Sequence, residues 1–231
     1  MSEGADKDMV IEVAETAPPY MCAPATGRFA AGADPAKREQ IIDGAKRVFM
    51  RMGFDAASMN DVTREAGVSK GTIYVYFQSK EDLFAALIER EKGRFAEELR
   101  DILGHAENVE DGLSQFATAF VRQILFTDMI PAMRTVIGVL NRMPRLCQRF
   151  LATPGNARTV LQEYLVRQVE AGTLAIDDTD LAARQFVDLS TGSYFKQRLF
   201  GEQVDSTDDV EIKRTVASAV RVFLAAYRAP V

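Results

Sequence analysis

Tryptophan is absent from this sequence, histidine occurs once, and the two cysteines, Cys22 and Cys147, lie far apart. One histidine and two scattered cysteines leave no cluster with metal-ligand spacing, and His105 reads as a surface residue in a linker. The cysteine pattern is that of a reduced, intracellular chain. There is no Ser/His/Asp set, no carboxylate pair and no Gly-rich phosphate loop, so the sequence points away from an enzyme and implies no cofactor. Long apolar runs are missing, which excludes a membrane span. The first thirty residues lack the basic start and apolar stretch of a secretory signal, so the expected location is cytoplasmic. Strand-like alternation is nowhere sustained, and there is neither an internal repeat nor a low-complexity run.

What is present is a helical pattern and an uneven charge. The net charge of −5 argues against a generally basic nucleic-acid binder. Its distribution matters more than its sum. Residues 1–34 set Lys7 and Arg28 against Glu3, Asp6, Asp8, Glu12, Glu15 and Asp34, a net of −4. Residues 35–80 carry eight Lys or Arg against five acids, a net of +3. A short basic segment thus sits inside an acidic protein.

Three units are expected. Residues 1–34 mix Ala, Pro, Gly and acids without period and read as a disordered or loosely attached arm. Within it "MVIEVA" (9–14) is the one apolar stretch. Residues 35–80 read as short helices, and 81–231 as a larger helical unit. Asp34 precedes Pro35, a cap followed by a favoured first helical residue. Ile41, Ala45, Val48, Phe49 and Met52 then recur at spacings of three and four, and Gly53 ends the helix. Ser58 with Asp61 starts the second helix as a capping box, and Gly67 ends it. Ser69 caps a short third helix over 70–76. Ser79 with Asp82 starts a long fourth, ended by Gly104. Further helices are expected near 109–126, 129–141, 145–152, 156–171, 179–200 and 208–228. The fold class is all-α.

Residues 59–76 form two short helices joined by a Gly-containing turn, a helix–turn–helix. Val62, Ala66, Val68 and Ile73 are the positions that would lock the pair together. At about 100° per residue, Ile73 and Phe77 share the core face of the third helix, with Tyr74 at its edge, ring inward and hydroxyl free. Gly71, Thr72, Val75 and Tyr76 fall on the opposite side. Such an outward set is unlike a solvated surface rich in Lys and Glu, and suits insertion into a groove. Gly71 permits close approach, Thr72 and Val75 can touch thymine methyls, and Tyr76 can stack on sugar or bond a phosphate. Lys70 and Lys80, at helix starts, favour phosphate, and Ser58 and Asn60 could hold another.

The stretch "SMNDVTREAGVSKGTIYVYFQSKEDLF" strongly resembles the DNA-binding region of the tetracycline-repressor-like (TetR) family of transcriptional regulators. Gly67, Ser69, Gly71, Tyr74, Tyr76, Phe77, Lys80 and Leu83 occur together at the family's spacing. Thr63 stands where Ala is usual, and Met59 where Thr is. The resemblance implies a homodimer on a near-palindromic double-stranded operator, with half-sites about 34–36 Å apart. It also implies repression relieved by a small molecule bound in the C-terminal helices.

For that effector, apolar residues on the middle helices are the candidates: Phe116, Phe120, Met133, Ile137, Cys147, Tyr164 and Phe186. They suit a hydrophobic or amphipathic ligand. Phe195, Val216, Val220 and Phe223, on the last two helices, are the candidates for the dimer interface. A helical interaction protein that has lost DNA binding is the alternative.

Overall fold

A computed structural model describes residues 32–139, 156–201 and 209–230. Among these, every named element is a helix: α1 (Pro35–Met52), α2 (Met59–Ala66), α3 (Lys70–Tyr76), α4 (Lys80–Gly104), α5 (Val109–Phe126), α6 (Met129–Val139), α7 (Ala157–Glu170), α8 (Thr179–Leu199) and α9 (Asp209–Tyr227). The all-α expectation holds. The helix expected at 145–152 lies outside the described residues, as does nearly all of the 1–34 arm. None of the described helices is long and apolar enough to cross a membrane.

The helix starts follow the capping residues. Side chains of Asp34, Ser58, Ser69, Ser79, Asn108, Asn156 and Asp178 each accept from a backbone N–H of the following turn. These contacts satisfy donors that have no partner inside the helix. The α2–α3 turn depends on Gly67, whose φ of +63° is left-handed and whose N–H closes onto the Thr63 and Arg64 carbonyls.

Two apolar cores form. The first gathers Ile41, Ile42, Ala45, Val48 and Phe49 of α1 with Val62, Ile73, Phe77 and Leu83–Ile88 of α4. Three aromatic rings, Phe49, Phe54 and Phe84, meet at its centre with centroid separations of 5.6, 5.4 and 4.8 Å. Val136 of α6 also joins this core. The second core is built by Ala96, Leu99 and Leu103 of α4 with α5, α7, α8 and α9. Phe116, Phe186 and Phe223 form its aromatic spine, at 6.3 and 5.0 Å between successive centroids. Helix α4 therefore belongs to both cores, and the first does not close at residue 80.

The helix–turn–helix is held to α1 by a close approach. A Cβ on Gly44 would lie 2.6 Å from Ala66 Cβ and 2.9 Å from Ala66 Cα. Polar clasps flank this contact: Gln40 Nε2 donates to the Ala66 carbonyl at 2.7 Å, and Arg47 Nε to Glu65 at 2.7 Å. Gly44→Ala should therefore destabilise the protein by about 1–3 kcal/mol, because backbone as well as side chain must move. Gly93→Ala, where an added Cβ meets nothing within 4 Å, should be neutral or stabilising. Urea denaturation of the two variants checks the contrast, and equal effects would contradict this packing.

Candidate nucleic-acid interface and effector cavity

Helix α3 is seven residues long and buries only Ile73 fully. Ser69 Oγ accepts from the Thr72 N–H at 3.0 Å and shares a hydrogen bond with Thr72 Oγ1 at 2.8 Å. Thr72 is thus half-buried and engaged at the cap. Lys70 and Gly71 are exposed, as are Tyr74 at 45% and Val75 at 52%. Among the described residues, a Cβ on Gly71 would meet only Ser69 Oγ, at 3.7 Å, so none of them requires glycine there. Asn60 is exposed in the first turn of α2. Ser58 is exposed too, but its hydroxyl donates to Asp61 at 2.5 Å and accepts from the Asp61 N–H. Hydrogen bonds from the Ser58 hydroxyl and backbone N–H are the main reason the Asp61 carboxyl is held below its ordinary value. Thr63 fits its helix by donating to the Met59 carbonyl at 2.7 Å.

Two of the expected orientations on α3 are reversed. Tyr76, expected to point outward, is half-buried and packs on the first core, while Tyr74, expected ring-inward, is exposed. The helix ends at Tyr76, and Phe77 is extended at φ −140°. Phe77 reaches the core by leaving the helix, so projecting it along the helical period shifts the inner face toward Tyr74. Centred on Ile73 alone, that face includes Tyr76 and leaves Tyr74 out.

Lys80 also departs from expectation. Its ammonium donates to the carbonyls of Phe54 at 2.7 Å, Ala57 at 2.9 Å and Asp55 at 3.3 Å, and lies 4.5 Å from the Phe54 ring centre. Its three donors are spent on the α1–α2 connection, which makes it an internal staple rather than a phosphate ligand.

Behind the helix–turn–helix, α1 and α4 are zipped by charge. Arg90, whose side chain is 8% exposed, donates to Asp43 at 2.7 Å, Glu39 at 3.0 Å and Glu91 at 3.0 Å. Lys46 closes the row on Glu91 at 2.6 Å. Burial works to raise the Glu91 carboxyl, but the Lys46 bond and charge, with Arg90, outweigh it and hold the group below its ordinary value.

Lys46 and Glu91 also stand on the wall of a cavity of about 880 Å³. Phe49 and Met50 of α1 line it on one side, with Leu87 and Phe95 of α4. Phe120, Gln123, Met129, Met133, Val187 and Phe195 line it from α5, α6 and α8. The cavity thus lies between the two cores. Lys92 is on its wall as well, and burial pulls its ammonium below the ordinary value against the opposing pull of Glu89.

Of the expected pocket residues, Phe120 and Met133 line this cavity. Phe116 and Phe186 are fully buried in the second core, Tyr164 is buried beside them, and Ile137 is half exposed away from the cavity. Cys147 lies outside the described residues. Phe116 and Phe120 differ by one helical turn: the first faces Phe186, while the second tilts toward Phe95 at 5.6 Å. The expected interface residues Val216, Val220 and Phe223 are each 3% exposed within the single chain, so they are core. Phe195 is a cavity wall. The outward residues of α8 and α9 include instead Leu189 at 45% and Val222 at 50%. Periodicity marks an apolar face but does not say whether a core, a cavity or a second chain lies against it.

A helix–turn–helix with an uncovered second helix, joined through one long helix to a helical body with a cavity, has the construction of a two-part DNA-binding regulator. The chain belongs to the TetR family of transcriptional regulators. Residues 41–87 match the family profile described as bacterial regulatory proteins, tetR family, and residues 111–229 match the C-terminal domain of AefR-like transcriptional repressors. The HTH-type transcriptional regulator UidR of Escherichia coli strain K12 is 33% identical over 164 residues, covering 67% of this chain and 78% of that protein. Against five other curated regulators the match spans only 26–42% of their lengths. A crystal structure of a TetR-family regulator from Mesorhizobium loti shares the fold with a TM-score of 0.77 at 23% identity, over 84% of this chain and 98% of that one. The flavonoid-responsive regulator FrrA gives 0.68 at 27% identity, over 86% and 100%.

The α1–α4 zip has a pH signature. A carboxylate whose folded value is depressed adds stability above its unfolded value and loses it as pH falls through the folded one. The Glu91 contribution should therefore be intact at neutral pH and vanish below the ordinary value of 4.5. Glu91→Gln should lower the melting temperature at pH 7 and flatten its decline on the acid side. A pH series of thermal melts in which the two slopes coincide would contradict the pairing.

Proposed function

We propose that the protein is a repressor that binds a near-palindromic operator as a homodimer, through the exposed face of α3, and leaves it when a hydrophobic or amphipathic effector fills the cavity. A reader of chromosomal DNA works in the cytoplasm. The observation that carries the DNA part is the outward face of α3. Lys70, Gly71, Tyr74 and Val75 are exposed there, and no described residue requires glycine at Gly71. Close approach of another backbone supplies that reason. Lys70 would meet phosphate, Val75 a thymine methyl, and Tyr74 a sugar or phosphate. Asn60 and the half-buried Thr72 flank this face. Tyr76 serves by holding α3 on its core.

The effector reading rests on where the cavity is. Its walls come from both cores and include the Lys46–Glu91 pair, so a ligand there would act on the same contacts that set the angle between α1 and α4. Most of its lining is aromatic or aliphatic, and Gln123 and the lysines supply a polar end. The similar regulator FrrA is by name responsive to flavonoids. The dimer reading puts the outward residues of α8 and α9, with Leu189 and Val222 among them, against the same helices of a second copy.

Gly71→Ala separates fold from function. Helix propensity should raise stability by up to about 1 kcal/mol, while affinity for an operator selected from random duplexes should fall at least about ten-fold. Lys70→Ala should weaken binding evenly across sequences and cut the salt slope by about one. A Gly71→Ala protein that binds as tightly as the parent would overturn the interface.

The double variant Leu189→Glu, Val222→Glu should sediment as a monomer with its helical content intact. A dimer that survives both charges would move the interface elsewhere.

A further inference from the structure

The cavity between the two cores has a neighbour. A groove of about 700 Å³ runs between α4 and α5 and opens to solvent past Glu98, Gln115 and Arg122, which are exposed. Among the described residues, Phe95, Gln123 and Thr127 line both spaces. One layer of side chains therefore separates the cavity from the groove. Phe95 is its largest member, half-buried, with its ring centre 5.6 Å from that of Phe120 on the cavity side. It stands on α4 where Leu83–Ile88, buried in the first core, give way to Ala96, Leu99 and Leu103 of the second.

The floor of the groove is apolar: Phe95, Ile102 and Ala119 are half-buried there and pack on the second core. Its rim offers hydrogen-bond acceptors. Ser114 Oγ gives its proton to the Glu110 carbonyl at 2.7 Å, and Thr118 Oγ1 gives its own to the Ser114 carbonyl at 2.8 Å. A hydroxyl has one proton and two lone pairs, so both oxygens are left to accept. Gln115 turns its Nε2 to the Asp111 carboxylate, at 2.9 and 2.8 Å, which leaves its Oε1 as an acceptor too. Glu98 adds a carboxylate. The Arg122 guanidinium, opposite in sign, is held by Asp209 at 2.8 Å. An anionic group brings no proton to such a rim, whereas a hydroxylated group brings several.

We propose that this groove is the outer half of the effector site. It takes the hydroxylated, uncharged end of an elongated amphiphile whose apolar part fills the cavity. Such a molecule passes Phe95, and so bears on α4 at the point where one core gives way to the other. The assignment rests on the effector reading of the cavity given above, and adds which end lies where and which polar chemistry is accepted. The lysines of the cavity wall would favour the opposite arrangement, an anionic end held inside.

Isothermal titration of the full chain with two probes of equal alkyl length tests this, both below their micellar concentrations. Decyl β-D-glucopyranoside carries a hydroxylated head, and decanoate an anionic one. The parent should bind the glucoside about ten-fold more tightly than decanoate. S114A together with T118V removes two rim acceptors with little change of shape. The pair should weaken the glucoside about ten-fold and move decanoate by less than about two-fold. Decanoate bound more tightly than the glucoside by the parent puts the polar end on the cavity lysines and overturns the groove, while the effector reading stands. Glucoside affinity left unchanged by the double variant, or a loss shared equally by the two probes, overturns the groove as well. Binding of neither probe by the parent overturns the effector reading, and the groove assignment falls with it.

Discussion

The rest of the structure depends on α4 being a member of two cores at once. Its 25 residues make a rod about 37 Å long. Leu83–Ile88 are buried with the helix–turn–helix, and Ala96, Leu99 and Leu103 with the larger body. A continuous helix does not bend freely between two packed ends, so the attitude of α3 is tied to the packing of α5, α7 and α8. The cavity sits where that tie is least filled, and Val136 of α6 crosses to the first core beside it. On the proposed reading, an effector in the cavity and DNA on α3 would be coupled without a separate relay, because the cavity wall is the support of the helix–turn–helix.

Charge plays a different part from the one its count suggests. Most of the eight cations in residues 35–80 have partners inside the chain: Lys37 donates to Gln40, and Arg38 lies 3.9 Å from Glu39. Lys46 holds Glu91, Arg47 and Arg51 hold Glu65, Arg64 holds Asp61, and Lys80 holds three carbonyls. On the proposed reading, what a phosphate would meet is narrower: above all Lys70, exposed at the start of α3.

The legible parts of the sequence are those governed by local rules. Caps at Asp34, Ser58, Ser69 and Ser79, the left-handed Gly67 and the spacing of Ile41, Ala45 and Val48 locate α1 to α4 nearly to the residue, since each depends on contacts within a turn. The helix–turn–helix within them also carries the motif by which the sequence resembles a known family. Illegible are directions that tertiary structure decides. Phe77 leaves the helix before it reaches the core, which interchanges Tyr74 and Tyr76. Lys80 looks like any basic residue at a helix start until the α1–α2 connection folds over it. Phe116 and Phe120 carry the same side chain on the same stripe, and only the arrival of α8 makes one a core residue and leaves the other on a cavity wall. Val216, Val220 and Phe223 are sound as an apolar stripe but silent about what covers them.

Two glycines show why exposure and packing have to be weighed together. Gly44 has no room for a methyl group, and its identity is explained by Ala66 across the helix pair. Among the described residues Gly71 has room for a Cβ, and it is still glycine. A residue type that costs helix stability and solves no internal problem answers to something outside the chain. On α3 that something must come within backbone distance beside a lysine, a valine and a tyrosine. On the proposed reading, a duplex groove is what meets these demands.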